Sequence, residues 1–412
     1  MKIAFFTDSY FPMVNGVTIS VANLADELRI LGHTVYIFAP KYSDYKDTQE
    51  DIYRFNSFKV LDMDPAVHMP FMLPHNIVRD IQPLDFDIIH AHGNGFFSLL
   101  GYQVALMKRV PFILTFHTQL TLYTHYILGG KIITPRVAAA TLRVLGNMCD
   151  TAVTPSIKMK NELISYGVKK PISVVPNFVY SDKFNSTDKE YLHSLCNIPQ
   201  ESVILLSVAR LGKEKNLLFL LKAFKDVAKH DTRAHLVLVG SGEEESALKA
   251  YVAKNNLSQL VHFTGKIQPS DMAKVYAGAD IFAFASVSEV HPMVILEAGA
   301  AGLPFVVVDD GAYKDIIENG KNGYIVPLKL PLFTQRLLDL IQNSQTRDAF
   351  GVVSKKLIEK NFSPKKLTLQ MLDVYEETIV NKKPSRITIK SINRATLKRL
   401  YQMTDVLDRM FQ

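Results

Sequence analysis

The chain has 412 residues, 48% hydrophobic and 21% charged, with a net charge of +7 and a pI near 9.0. That length exceeds one ordinary core and the composition excludes global disorder, so about two or three globular domains are expected. Cys149 and Cys196 are its only cysteines, with no CxxC or Cys/His cluster, which excludes a disulfide scaffold and a structural zinc site and fits a reducing compartment.

Ile3–Phe6 reads as a buried strand, because four apolar residues are too few for the core of a secretory signal. Val17, Val21, Leu24, Leu28 and Leu31 then recur at helical spacing and stop at Gly32. Strands are expected at Val35–Phe38, Ile88–His90, Phe112–Phe116 and Ala152–Pro155. Helices are expected at 96–108 and 135–148, the second opened by Thr134-Pro135. The second half repeats the alternation, with strands at Val203–Val208, His235–Val239, Val261–Thr264, Ile281–Ala285, Phe305–Val308 and Tyr324–Val326. Helices fall between them at about 216–229, 243–255, 270–278, 293–301 and 330–343. Strands that are apolar throughout and separated by helices imply parallel sheets covered on both faces. The fold class is therefore α/β, with two Rossmann-like, doubly wound parallel-sheet domains joined near Pro176–Asp182. No run of about 18 apolar residues is present, so no bilayer span is expected.

Ligands of such folds bind at the carboxyl ends of the strands, which directs attention to the loops there. The strongest signal is Ser-Glu-Val-His-Pro-Met-Val-Ile-Leu-Glu-Ala-Gly at 288–299. Glu289 ends a loop after a strand and Glu297 lies in the helix that follows. A helix start presents unpaired N–H groups and a positive dipole end, which suits a diphosphate. Taken alone, the pair also fits a helix-start carboxylate and a surface residue. The second signal is Ser207-Val-Ala-Arg-Leu-Gly-Lys-Glu-Lys-Asn-Leu217, which places Arg210 and Lys215 between a buried strand and a helix. Two cations there could neutralise a departing nucleotide diphosphate, although a charged loop by itself is also compatible with simple solvation.

Combined, these segments resemble the retaining family-4 glycosyltransferases, whose GT-B fold sets two Rossmann-like domains around a central cleft. The likeness also includes Gly16, Thr115-Phe-His117-Thr118, Val174-Val-Pro-Asn177, Ala-Gly-Leu-Pro at 301–304, Asn322-Gly-Tyr324 and the closing segment Phe362–Val380. It covers most of residues 1–380, and the combination is specific although no single piece is. The resemblance implies an acceptor-side domain at 1–178, with 363–380 packing back on it, and a nucleotide-sugar domain at 179–362. It implies that Gly16 lets the first loop approach the diphosphate, because a side chain there would block it. Arg210 and Lys215 would hold the diphosphate, and Lys266, Val294, Ile295 and Glu297 the nucleotide, with Glu297 on the ribose. His117 and Glu289 would be the catalytic residues and would contact the sugar together with His291 and Met293. The family's route is retaining, with departure and attack on one face and no metal on an Asp-X-Asp pair; no such pair stands in a suitable loop here. No tightly bound cofactor is therefore expected, only a nucleotide-sugar donor of the UDP class and, at most, loosely bound Mg.

The Phe116-His-Thr-Gln119 block with Tyr123, His125 and Tyr126 is most similar to lipid glucosyltransferases of the monoglucosyldiacylglycerol synthase type. This implies UDP-glucose as donor and diacylglycerol as acceptor. The chain departs from the family where Pro292 replaces a common Gly, removing a backbone donor, and where Asn15-Gly16 replaces a Gly-Gly pair.

Residues 381–412 carry eight Lys or Arg against two Asp, which is six of the seven excess charges. The body is thus close to neutral, and nucleic acid is not an expected partner. In this tail Leu400, Met403, Leu407 and Met410 share a helical stripe, while Arg394, Lys398, Gln402, Asp405 and Arg409 lie elsewhere. Such a segment fits an amphipathic helix on an anionic membrane surface, a helix packed on its own protein, or a disordered tail. Residues 135–147, with Arg136 and Arg143, form a second candidate surface, for which core packing is the competing reading. The expected location is the cytoplasm, peripheral on the inner face of the cell membrane. Competing functions are the same transfer to a soluble or polysaccharide acceptor, a nucleotide-sugar epimerase of the same fold, and a non-enzymatic nucleotide-sugar sensor. A nicotinamide oxidoreductase is disfavoured, because Val239-Gly-Ser-Gly242 lacks the third glycine of GxGxxG.

Overall fold

The computed structural model describes residues 1–42, 45–61, 67–70, 81–122 and 134–382, with the backbone alone at 58–61 and 67–70. Tyr123, His125, Tyr126 and the stripe from Leu400 to Met410 lie outside the described residues.

The first sheet contains β1 (Lys2–Thr7), β2 (Thr34–Pro40) and β3 (Ile52–Phe55), followed after an antiparallel hairpin of β4 (Ser57–Leu61) and β5 (Val67–Pro70) by β6 (Ile88–His92), β7 (Phe112–Thr115), β8 (Thr151–Thr154) and β9 (Ile172–Val174). Its order is β3-β2-β1-β6-β7-β8-β9 and its pairings are parallel. The second sheet, β10 (Val203–Val208), β11 (Ala234–Val239), β12 (Val261–Gly265), β13 (Ile281–Phe284), β14 (Phe305–Val308) and β15 (Gly323–Val326), is parallel in the order β12-β11-β10-β13-β14-β15. In both sheets the order reverses beside the first strand, between β1 and β6 and between β10 and β13. Loops diverge to opposite faces at such a point and leave a crevice for ligand.

Burial on both faces explains the composition of these strands. Ile3, Ala4, Phe5 and Phe6 are each 0% exposed, as are Phe305, Val306, Val307 and Val308. The helices begin on polar caps: Asn15 accepts the Thr18 N–H at 2.9 Å to start α1 (Gly16–Ile30). In chain order there follow α2 (Phe96–Lys108), α3 (Pro135–Met148), α4 (Ile157–Tyr166), α5 (Tyr191–Cys196), α6 (Leu217–His230) and α7 (Glu245–Lys254). They continue as α8 (Met272–Ala277), α9 (Met293–Ala300), α10 (Leu330–Gln342), α11 (Ser344–Asn361) and α12 (Pro364–Asn381). Among the described residues no helix is long and apolar enough to cross a membrane.

The structure adds elements that the hydrophobic pattern did not announce. Strand β3 carries Arg54 at an edge, and β9 is three residues long, so neither shows an apolar run. Helices α4 and α11 bury only narrow stripes, Met159 with Leu163, and Gly351, Ser354 with Ile358. The last helix, α12, lies against the first sheet: Tyr375 OH meets His90 Nδ1 at 2.7 Å, and Lys382 Nζ reaches Asp150 at 2.6 Å. One apolar core runs from α1 (Val21, Leu24) through the linker (Val175, Phe178) to α9 (Met293, Ile295) and α12 (Met371). The two sheets are thus packed into one body at the crevice.

Candidate active site

Loops at the carboxyl ends of β1, β6 and β7 form one wall of the cleft. The first loop is closed by its own hydroxyls: Asn15 Nδ2 donates to Ser9 Oγ at 2.7 Å, and Ser9 Oγ lies 2.9 Å from Thr18 Oγ1. Gly16 opens α1, and a Cβ built there would meet only Met293 Cγ, at 3.8 Å across the cleft. The starts of α1 and α9 therefore face each other, and both present N–H groups without an acceptor inside the helix. Asp8, in the same loop, accepts the N–H groups of Gly95 and Phe97 at 3.0 and 2.9 Å and so caps α2. Burial raises its carboxyl to about 6 against those hydrogen bonds.

His117 follows β7 and lies 3.2 Å through Nε2 from His92 Nδ1. His92 packs beside His90, with ring centroids 4.0 Å apart and planes tilted by 36°, and His90 is held between Tyr375 OH and Thr115 Oγ1 (2.6 Å). Burial lowers all three imidazoles, His117 to about 4, so the row is neutral at physiological pH. His92 Nε2 is buried without a hydrogen-bond partner among the described residues, and with His117 it lines a small cavity beside Asn177 and Met371. His90 and His92 escaped the sequence reading. The alternation His-Ala-His at the end of an apolar strand was the available sign, since it puts both rings on one face of the sheet.

The opposite wall is built from the loops after β10, β11, β12 and β13. Arg210 donates to Glu214 Oε1 at 2.5 Å and to Glu243 Oε2 at 3.4 Å. Its loop lies tight against the next one: a Cβ at Gly240, where φ is +134, would sit 1.9 Å from the Ala209 carbonyl oxygen. Only glycine fits there. Lys215 Nζ reaches Glu289 Oε1 at 2.6 Å, and Ser286 Oγ donates to the same oxygen at 2.5 Å. The structure thus brings Lys215 and Glu289 into contact although 74 positions separate them. Arg210 and Lys215 thus arrive already paired with carboxylates, which their spacing did not reveal.

Glu297 lies one helix turn into α9 and accepts a 2.6 Å hydrogen bond from Tyr276 OH; burial raises its carboxyl despite that bond. Lys266 is exposed at the end of β12. Met293 is buried at the first position of α9, and Val294 is half-buried. Ile295 is turned into the core, and its N–H already serves the Pro292 carbonyl at 3.2 Å, so it offers a ligand less than its neighbours do. His291 is buried beside Phe362 (centroids 5.6 Å), its carbonyl accepts from Asn177 Nδ2 at 2.9 Å, and burial lowers its ring to about 3. Neither of its ring nitrogens has a hydrogen-bond partner among the described residues. Val290, between Glu289 and His291, joins the apolar core of the first domain beside Phe116 and Met159. The Glu289 loop is thereby seated against the strand end that carries His117. Among the described residues, no three His, Cys, Asp or Glu side chains gather as metal ligands.

Two family models match the chain: Glycosyltransferase Family 4 over residues 14–183 and Glycosyl transferases group 1 over residues 189–356. The chain is 32% identical to the alpha-monoglucosyldiacylglycerol synthase of Streptococcus pneumoniae over 336 residues, 78% of this chain and 74% of the relative. It is 26% identical to the enzyme of the same name from Acholeplasma laidlawii, over 86% of this chain and 91% of the relative. The fold matches the crystal structure of Anabaena HepE in complex with UDP-glucose, with a TM-score of 0.74 at 18% identity, over 92% of this chain and 100% of that one. Paired cations and carboxylates at one helix start, facing a glycine at another across two doubly wound sheets, agree with these matches: the chain is a glycosyltransferase of the group 1 and family 4 type, with the GT-B fold.

Proposed function

We propose that the chain is a retaining transferase that moves a hexose, glucose from UDP-glucose, to a membrane lipid acceptor such as diacylglycerol. Residues 1–178 would serve as the acceptor side and 179–362 as the donor side. The observation that carries the reading is the Lys215–Glu289 contact at the mouth of α9, opposite Gly16. A pyrophosphate between the two helix starts would take over Lys215 and Arg210 as its charge grows on departure. Glu289 would then be released toward the sugar, while Glu297 receives the ribose hydroxyls. Lys266, Met293 and Val294 supply backbone at the base and diphosphate, and His291 closes the sugar end beside Asn177. His117, being neutral, can hydrogen-bond a sugar hydroxyl without adding charge to the transferring face. On that face the bond from the anomeric carbon to the phosphate oxygen breaks and the acceptor oxygen forms the new one. The acceptor's proton leaves with the departing phosphate oxygen.

The lipid acceptor is supported by the two synthases to which the chain is similar and by the outer face of α3. There Arg136 and Arg143 are exposed beside Val137 and Val144, which are 46% and 55% exposed, while Ala138, Leu142 and Leu145 take the core side. A face of cations and valines suits the surface of an anionic bilayer, and with the basic tail it would place the enzyme on the cytoplasmic face. Purified protein given UDP-glucose and diacylglycerol vesicles should form glycolipid and UDP. Absence of transfer from every donor in a nucleotide-sugar panel would end the proposal. Deleting residues 384–412 should weaken vesicle binding and transfer; unchanged values would favour a soluble acceptor.

A further inference from the structure

Helix α4 begins with Ser156 as its cap, yet it places Lys158 and Lys160 in its first turn. Cations are disfavoured at the positive end of a helix dipole, so Lys158 needs a compensating partner. It finds two, both in the other domain. Its Nζ donates to the Glu289 backbone carbonyl at 2.9 Å and to Asp310 Oδ1 at 2.8 Å, and the Asp310 side chain is only 1% exposed. Asp310 Oδ2 in turn accepts the Glu289 N–H at 3.1 Å. One ion pair therefore grips both backbone polar groups of residue 289. The Lys158 stem passes Gly311, 3.8 Å from the position a Cβ would take there.

Four residues along the same helix face stands Glu162. Its Oε1 accepts from Gln119 Nε2 at 2.5 Å, and Gln119 lies two residues beyond His117 in the loop after β7. One short helix thus holds, one turn apart, the loop that carries His117 and the loop that carries Glu289.

We propose that Lys158 is a positioning residue for the transfer: from the opposite domain it fixes the Glu289 peptide, and with Glu162 it sets the spacing between Glu289 and His117. The inference rests on the role given to Glu289 above. A misplacement of about 1 Å in such a pair costs on the order of 100-fold.

Lys158→Met keeps the apolar stem and removes the charge. It should lower kcat by about 10- to 100-fold while the donor KM changes by less than about threefold. Lys158→Arg, which can still bridge a carbonyl and a carboxylate, should recover kcat to within about fivefold of the parent. In the ligand-free chain Lys158→Met should also speed amide hydrogen exchange within residues 286–292. A kcat within twofold of the parent, a loss that Arg does not relieve, or unaltered exchange at 286–292 would each overturn the proposal. Exchange needs no donor, so a parent chain that transfers nothing would defeat the proposed function while exchange still judges Lys158. Should Lys158→Met fail to fold, Asp310→Asn removes the same ion pair from the other side and is read the same way.

Discussion

The two walls of the cleft solve opposite electrostatic problems. On the side of the second sheet, Arg210, Lys215, Glu214, Glu243 and Glu289 are all ionic and already paired. On the side of the first sheet, His90, His92 and His117 form a row that burial keeps neutral, with His117 lowered to about 4. The contrast suits a reaction in which charge accumulates on one partner only. Carboxylates keep the cations ordered without ligand, and a diphosphate can displace them at modest electrostatic cost because one anion replaces another. A charged imidazole opposite would pull the departing phosphate toward the wrong wall. A neutral histidine row on one side is therefore as much a part of the proposed site as paired charge on the other.

Removing the charge should produce the largest effect. Lys215→Ala takes away the proposed phosphate partner and leaves Glu289 to repel the donor, so kcat/KM for the donor should fall by about 10³-fold. Steady-state kinetics over a donor range would check it, and a loss below tenfold would place the diphosphate elsewhere. Glu289→Gln keeps the shape of the side chain and should lower kcat by about 10²-fold with little change in nucleotide affinity measured by calorimetry. On the neutral wall His117→Asn should cost about tenfold in kcat, because a hydrogen bond is altered and no charge is lost. Tyr375→Phe removes the hydroxyl that holds His90. It should reduce stability by about 1–2 kcal/mol, read from the denaturant midpoint, and change kcat by less than about threefold.

The remaining prediction concerns pH. His117 is lowered to about 4 from an unfolded value of 6.5. Between those values the unfolded chain binds a proton that the folded chain refuses, so this residue makes stability fall as pH drops through the window. The melting temperature of the parent relative to His117→Asn should therefore decline between pH 7.5 and 4.5. A constant difference would mean that the folded protein lets the ring take up a proton as readily as the unfolded chain does, and burial would then not hold the row neutral.

Strands and helices of the doubly wound halves were legible because their apolar periods are strong. Val203–Val208 and Phe305–Val308 coincide with the expected spans, and 96–108 and 135–148 are the observed α2 and α3. The Arg210, Lys215, Glu289 and Glu297 segments were legible for another reason: each follows a buried strand and opens a helix, so topology alone carries it to the cleft. The partners of those residues were not legible. Nothing local ties Lys158 to Asp310 across 152 positions, because that contact exists only once two domains have docked.

Local order along the chain therefore determined the two sheets, their reversal points and the residues delivered to the crevice, since each depends on short-range periodicity and on right-handed crossovers. Docking decided everything that couples the halves. That includes the seating of α12 over the histidine row and the grip of Lys158 on residue 289. Burial and ion pairing act over a few ångströms in space whatever the separation in sequence, so only the packed molecule could show them.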